Sequence, residues 1–162
     1  MGRVNTLSLR QNKPAGALLL LAAFALGLVS SARGATAPSR WATLEAIHQL
    51  ENPRNLTTPG PFGELGAYQF REMTWRMHTR SPFVQALDRR ASDEVAVKHY
   101  EWLKRRLEGA GLPATCYNIA LAWNGGLEAT VLGRAPAVAH DYADRVTNLA
   151  GAFSARAVAS VR

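Results

Sequence analysis

Cysteine is almost missing from this chain of 162 residues. Cys116 is the only one, so no internal disulfide can form and no cysteine-based metal site is available. It reads as a small buried apolar residue. Histidine is also scarce: His48, His78, His99 and His140 are dispersed and lack ligand spacing, so neither metal nor cofactor is expected. There is no internal repeat and no low-complexity stretch. The longest apolar run, Ala15 to Val29, is 15 residues, short of the roughly 20 needed to span a bilayer.

Acidic residues are absent from the first 34 positions, which instead carry Arg3, Arg10, Lys13 and Arg33. A basic opening, an apolar run and "SARG", with Ala32 and Gly34 as small residues before a cut, read as a cleaved secretory signal over residues 1–34. A rival cut after Ala37 would place Pro38 first. The expectation is an exported protein, periplasmic or extracellular, without stable membrane insertion after cleavage. Residues 35–162 then form one domain long enough for a real core. The formal charge of +7 falls to +3 once those four cations are set aside. "KRR" at Lys104 to Arg106 is a solvated helix face with no aromatic stacking motif beside it, so no nucleic-acid partner is expected. A mild positive charge suits an anionic polymer such as a cell wall.

Short apolar periods separated by Gly and Pro predict an all-α domain. A first helix runs from a Ser39 cap to Glu51, with Trp41, Leu44, Ile47, His48 and Leu50 on or near its buried side. Asn52 to Gly66 holds three prolines and three glycines, which predicts an irregular loop or short hairpin. Helical period resumes with Phe70, Met73 and Met77. Ser92 is a candidate cap for the next helix, with Asp93 and Glu94 in its first turn and Val95, His99, Trp102, Leu103 and Leu107 inside. Ala114 to Trp123 reads as a central core helix stopped by Asn124, Gly125 and Gly126. Val138, Tyr142, Val146, Leu149 and Phe153 mark a long closing helix.

One residue breaks the first of these patterns. Leu44, Ile47, His48 and Glu51 share a helix face, so the apolar stripe runs into a carboxyl group. A carboxyl beside Ile47 and His48 is partly desolvated, which raises its pKa and keeps it protonated closer to neutral pH. A general acid for a glycosidic oxygen needs that property, and the acid of lysozyme is tuned by burial in the same way. The bland alternative is a solvated last-turn residue.

"ENPRN" at 51–55, "GELGAYQF" at 63–70, "YNIALAWNGG" at 117–126 and "HDYADRV" at 140–146 occur in a telling order. Together they resemble the signature motifs of the soluble lytic transglycosylase group in the lysozyme-like superfamily, over essentially all of residues 35–162. The loop "GELGAYQFREMTW" is also similar to resuscitation-promoting-factor domains. The resemblance implies a lysozyme-like helical domain that cleaves peptidoglycan glycan strands between N-acetylmuramic acid and N-acetylglucosamine. Glu51 matches the single catalytic acid, Gln69 the second-motif glutamine, Asn124 the third-motif asparagine and Tyr142 the closing-helix tyrosine. Asn52 stands where Ser is usual, Tyr68 replaces a Met, and Trp123 with Gly125 makes the third motif Ala-Trp-Asn-Gly-Gly. Tyr68, Trp123 and Tyr142 are candidates to stack on sugar rings, and Asn52 to hydrogen-bond substrate.

The resemblance implies a lyase, in which one carboxyl first donates a proton and then takes one from the sugar's C6 hydroxyl, leaving a 1,6-anhydro end. Hydrolytic glycosidases ordinarily need a second carboxylate, and Glu64 is the nearby candidate. A muramidase using Glu64 is therefore the close alternative. A catalytically silent wall-binding module is the alternative from another class.

Overall fold

The computed structural model describes residues 37–160, so the expected signal over 1–34 lies outside the described residues. The fold is all-α. The first helix, α1 (Arg40–Glu51), starts where Ser39 Oγ accepts the Ala42 N–H at 3.2 Å, satisfying a donor that has no intrahelical partner. It stops at Asn52, whose backbone is no longer helical, with Pro53 next in the chain. Leu44, Ile47 and His48 are buried as their spacing predicts. Trp41 is not: at 62% exposure it projects from the first turn, its ring 6.2 Å from that of Phe153.

The Pro- and Gly-rich stretch forms an irregular lobe whose one regular feature is a tight hairpin. Leu65 and Phe70 exchange both backbone hydrogen bonds at 3.0 Å. Gly66 makes the turn possible, because its φ is +79° and a Cβ there would sit 1.7 Å from the Ala86 carbonyl oxygen. No residue with a side chain fits that crossing.

Next comes the short α2 (Glu72–His78), which corrects the expected methionine stripe. Met73 is 79% exposed, Met77 is also outside, and the residue turned inward is Trp75, fully buried with its indole N–H donating to Ser81 O at 2.9 Å. A 3-10 turn at Phe83–Leu87 leads into α3 (Arg89–Gly109). Its cap is Asp88, whose Oδ1 accepts the Ala91 N–H at 2.8 Å, rather than Ser92. Ser92 lies one turn inside, completely buried, at the Gly66 crossing. The inner stripe of Val95, His99, Leu103 and Leu107 is buried as expected, with Trp102 at its border.

The core helix α4 (Cys116–Gly125) begins at a Thr115 cap and ends at Gly126, whose φ of +89° terminates it. Ile119, Ala120, Leu121 and Ala122 are buried, as is Cys116. A single turn, α5 (Leu127–Val131), leads to the long α6 (Ala137–Ser160). Helix α6 packs along α4 and α1. The expected contact residue Val138 is exposed, and the buried stripe is Ala139, Ala143, Val146 and Ala150. Small side chains are what allow helices this close: a Cβ on Gly125 would come within 2.8 Å of the Ala139 methyl. None of the helices of the described residues is long and apolar enough to cross a membrane.

Candidate active site

Because α1 stops at Asn52 and the lobe folds back over it, the end of α1 opens on a cavity of about 690 Å³ between the lobe and the end of α4. Glu51 lines it, together with Glu64, Tyr68, Gln69, Trp123 and Asn124. Glu51 and Gly126, 126 − 51 = 75 positions apart in sequence, thus share one depression, of a size suited to a small ligand.

Glu51 is partly buried and no cationic side chain pairs with it among the described residues. Desolvation pushes its pKa above the usual carboxylate value; a hydrogen bond from Tyr142 pulls the other way, and the negative charge of Glu64 adds to the rise. Tyr142 Oη donates to Glu51 Oε1 at 2.7 Å. Burial and the neighbouring Glu51 raise the Tyr142 pKa far upward, so the phenol stays a donor. With Oε1 engaged in this way, the proton of a neutral Glu51 belongs on Oε2.

Glu64 has the opposite environment. Partial desolvation alone would raise its pKa, but the Phe62 N–H, donating to Oε2 at 2.9 Å, and Arg71 Nε, donating to Oε1 at 3.2 Å, bring it below the ordinary value. Two carboxyl groups in one cavity are therefore pushed apart, one toward the acid form and one toward the anion.

The other expected residues divide. Gln69 sits at the cavity with a positive φ of 46°; its Nε2 ties to Gly66 O at 3.1 Å and its Oε1 lies beside Gly60. Asn124 is exposed at the end of α4 and lines the same cavity. Trp123 contributes a partly buried ring, packed edge-on to His99 with centroids 4.8 Å apart. Tyr68 borders the cavity but is only 3% exposed, and its hydroxyl donates to Asp93 Oδ1 at 2.7 Å. So buried a ring has no open face for a sugar. Tyr142 does not line the cavity; it supports Glu51 from behind the first layer.

Asn52 is not brought into the cavity. It is buried, its Nδ2 donates to Leu56 O at 2.9 Å and Gly66 O at 3.1 Å, and its Oδ1 accepts the Leu56 N–H at 2.9 Å. Its Nδ2 and its Oδ1 are both engaged in holding the lobe to the end of α1. Its role is to set the cavity walls, not to meet a ligand.

Sequence reasoning missed Phe62, Arg71 and His99 as cavity residues. His99 had a visible signal, its place on the α3 stripe, but the pattern says only "inside". Its Nδ1 is 2.9 Å from His78 Nε2, and its ring stacks on Trp102 with 13° between planes. Burial and then the neighbouring His78 depress its pKa to about 3, so it is a neutral wall. No group of three or more metal-binding side chains gathers among the described residues.

No family model, curated protein or solved structure matches the chain. The functional reading therefore rests on the geometry of the cavity and on the motif resemblance.

Proposed function

We propose that this protein is an exported peptidoglycan-cleaving enzyme of lysozyme-like fold, a lytic transglycosylase acting between N-acetylmuramic acid and N-acetylglucosamine. The observation that carries the reading is Glu51: a partly buried carboxyl with a raised pKa, no cationic partner, and a cavity shared with Gln69 and Asn124. A carboxyl that holds its proton above the usual carboxylate range is the tool for donating to a glycosidic oxygen.

Glu51 Oε2–H gives its proton to the bridging oxygen as the C1–O bond breaks. Tyr142 steadies the resulting carboxylate through Oε1. The carboxylate then removes the C6 hydroxyl proton as O6 closes on C1, which restores the acid and consumes no water. The product is a 1,6-anhydro ring.

A muramidase is the second reading, favoured by the presence of Glu64 in the same cavity. Against it, both Glu64 oxygens are already engaged and its proton affinity is lowered, which makes a weak general base. Purified sacculi digested with the protein and weighed by mass spectrometry separate the two: anhydro ends support the lyase, water-added ends the hydrolase. Absence of any released fragment, by wild type as by Glu51→Gln, would leave only the silent wall-binding module. Export itself predicts that N-terminal sequencing of secreted protein starts at residue 35.

A further inference from the structure

The mouth of the cavity holds a cation that the chemistry of Glu51 leaves unused. Arg71 precedes α2 with its side chain 64% exposed, and it lines the cavity. Its Nε donates to Glu64 Oε1 at 3.2 Å; Nη1 and Nη2 make no hydrogen bond to any described residue. Its Cζ lies 5.0 Å from the ring centroid of Phe62, which is itself 76% exposed and also lines the cavity. The carboxylate engages its Nε edge and the aromatic ring lies against its face, and both contacts bias the direction in which the guanidinium points. Its remaining edge presents two parallel N–H groups at the spacing of a carboxylate. With His99 neutral, Arg71 is also the only cation among the described residues that line this cavity.

We propose that Arg71, braced by Phe62 and Glu64, recognises a carboxylate carried by the glycan strand and makes the cavity prefer acid-bearing strands over neutral ones. This rests on the glycan reading above. Two sources offer the same chemistry: the lactyl carboxylate bared on a peptide-free strand, and the carboxylates of the stem peptide.

The test uses Glu51→Gln protein, so that ligands bind without turnover, titrated calorimetrically with three soluble fragments. These are a peptide-bearing muramyl saccharide, the same saccharide after peptide removal, and an N-acetylglucosamine oligomer without any carboxylate. Adding Arg71→Met should weaken binding of a carboxylate-bearing fragment about tenfold, more at low salt than at high, and leave the neutral oligomer unchanged. Arg71→Lys, which keeps the charge and loses the fork, should fall between and guards against a folding defect. Loss confined to the peptide-bearing fragment assigns the stem carboxylate, loss confined to the peptide-free fragment assigns the lactyl group, and loss with both shows that the fork takes either carboxylate. Equal weakening on all three fragments, or none on any, overturns the proposal while the glycan reading stands. Failure of every fragment to bind Glu51→Gln protein overturns both.

Discussion

Glu51 and Glu64 face one cavity and differ in what surrounds their oxygens. Glu51 ends a buried helical stripe and meets a phenol; Glu64 sits in an irregular lobe and meets a backbone N–H and a guanidinium. Identical side chains are driven in opposite directions, the first by removal from water, the second by hydrogen bonds to its charged form. The difference teaches that the division of labour comes from the elements that carry the two residues. A helix end can be dried by packing, whereas a lobe rich in Pro and Gly supplies free backbone donors.

The strongest way to break this comparison is to remove its acid. Glu51→Gln should lower turnover of sacculi about 10²- to 10⁴-fold. It should also stabilise the fold at neutral pH, by about 0.5–2 kcal/mol. The sign follows from the raised pKa: the folded state holds the Glu51 proton more tightly than the unfolded chain. The burial penalty is thus absent below the unfolded value and grows as pH rises through the folded one. Urea unfolding near pH 7.5 should show the gain, and near pH 4 it should shrink.

Removing the brace between the two walls should cost less. Asn52→Ala leaves the Leu56 N–H and the Gly66 and Leu56 carbonyls without their partner, for a loss of about 1–3 kcal/mol. Denaturation midpoints measure the loss, and faster amide exchange across residues 53–66 should localise it.

Glu64→Gln sharpens the comparison. If Glu64 is only a charged neighbour, turnover falls less than about tenfold, whereas loss of an obligatory base would cost about 10²-fold or more. The same variant removes a charge that raises the Glu51 pKa, so the alkaline limb of the pH–rate profile should move toward acid. Tyr142→Phe gives the opposite sign and, of the two, the larger shift of that limb. It deletes the hydrogen bond that lowers the Glu51 pKa, so that limb should move toward base.

The sequence makes the Glu51 half of this contrast easier to read. A 3.6-residue period brings the apolar stripe to position 51, and a Ser39 cap and Pro53 bracket the helix; all of that is local. The lobe is visible as a lobe from its prolines and glycines, yet its wiring is not. Asn52 is consumed by Gly66, 14 residues on, and Tyr142 reaches Glu51 across 91 residues. No period links such pairs, and only the motif resemblance suggested that Tyr142 belonged near the acid.

Where the sequence misled, two residues were locally equivalent and packing chose between them. Asp88 and Ser92 both cap helices well, and the close crossing at Gly66 needed a small buried residue at 92. Met73 and Trp75 are both apolar on a helix of seven residues, too short for period to separate them. Arg71 and Phe62 escaped because exposed residues at a cavity mouth leave no periodic trace.

The central claim is the split between the two carboxyl groups, and carbon-13 NMR titration of the glutamate carboxyl carbons tests it directly. Assigned by comparison with Glu51→Gln and Glu64→Gln, Glu51 should titrate above the ordinary value of 4.5 and Glu64 below it. Coincident titrations at that ordinary value, or the reverse order, would contradict the account.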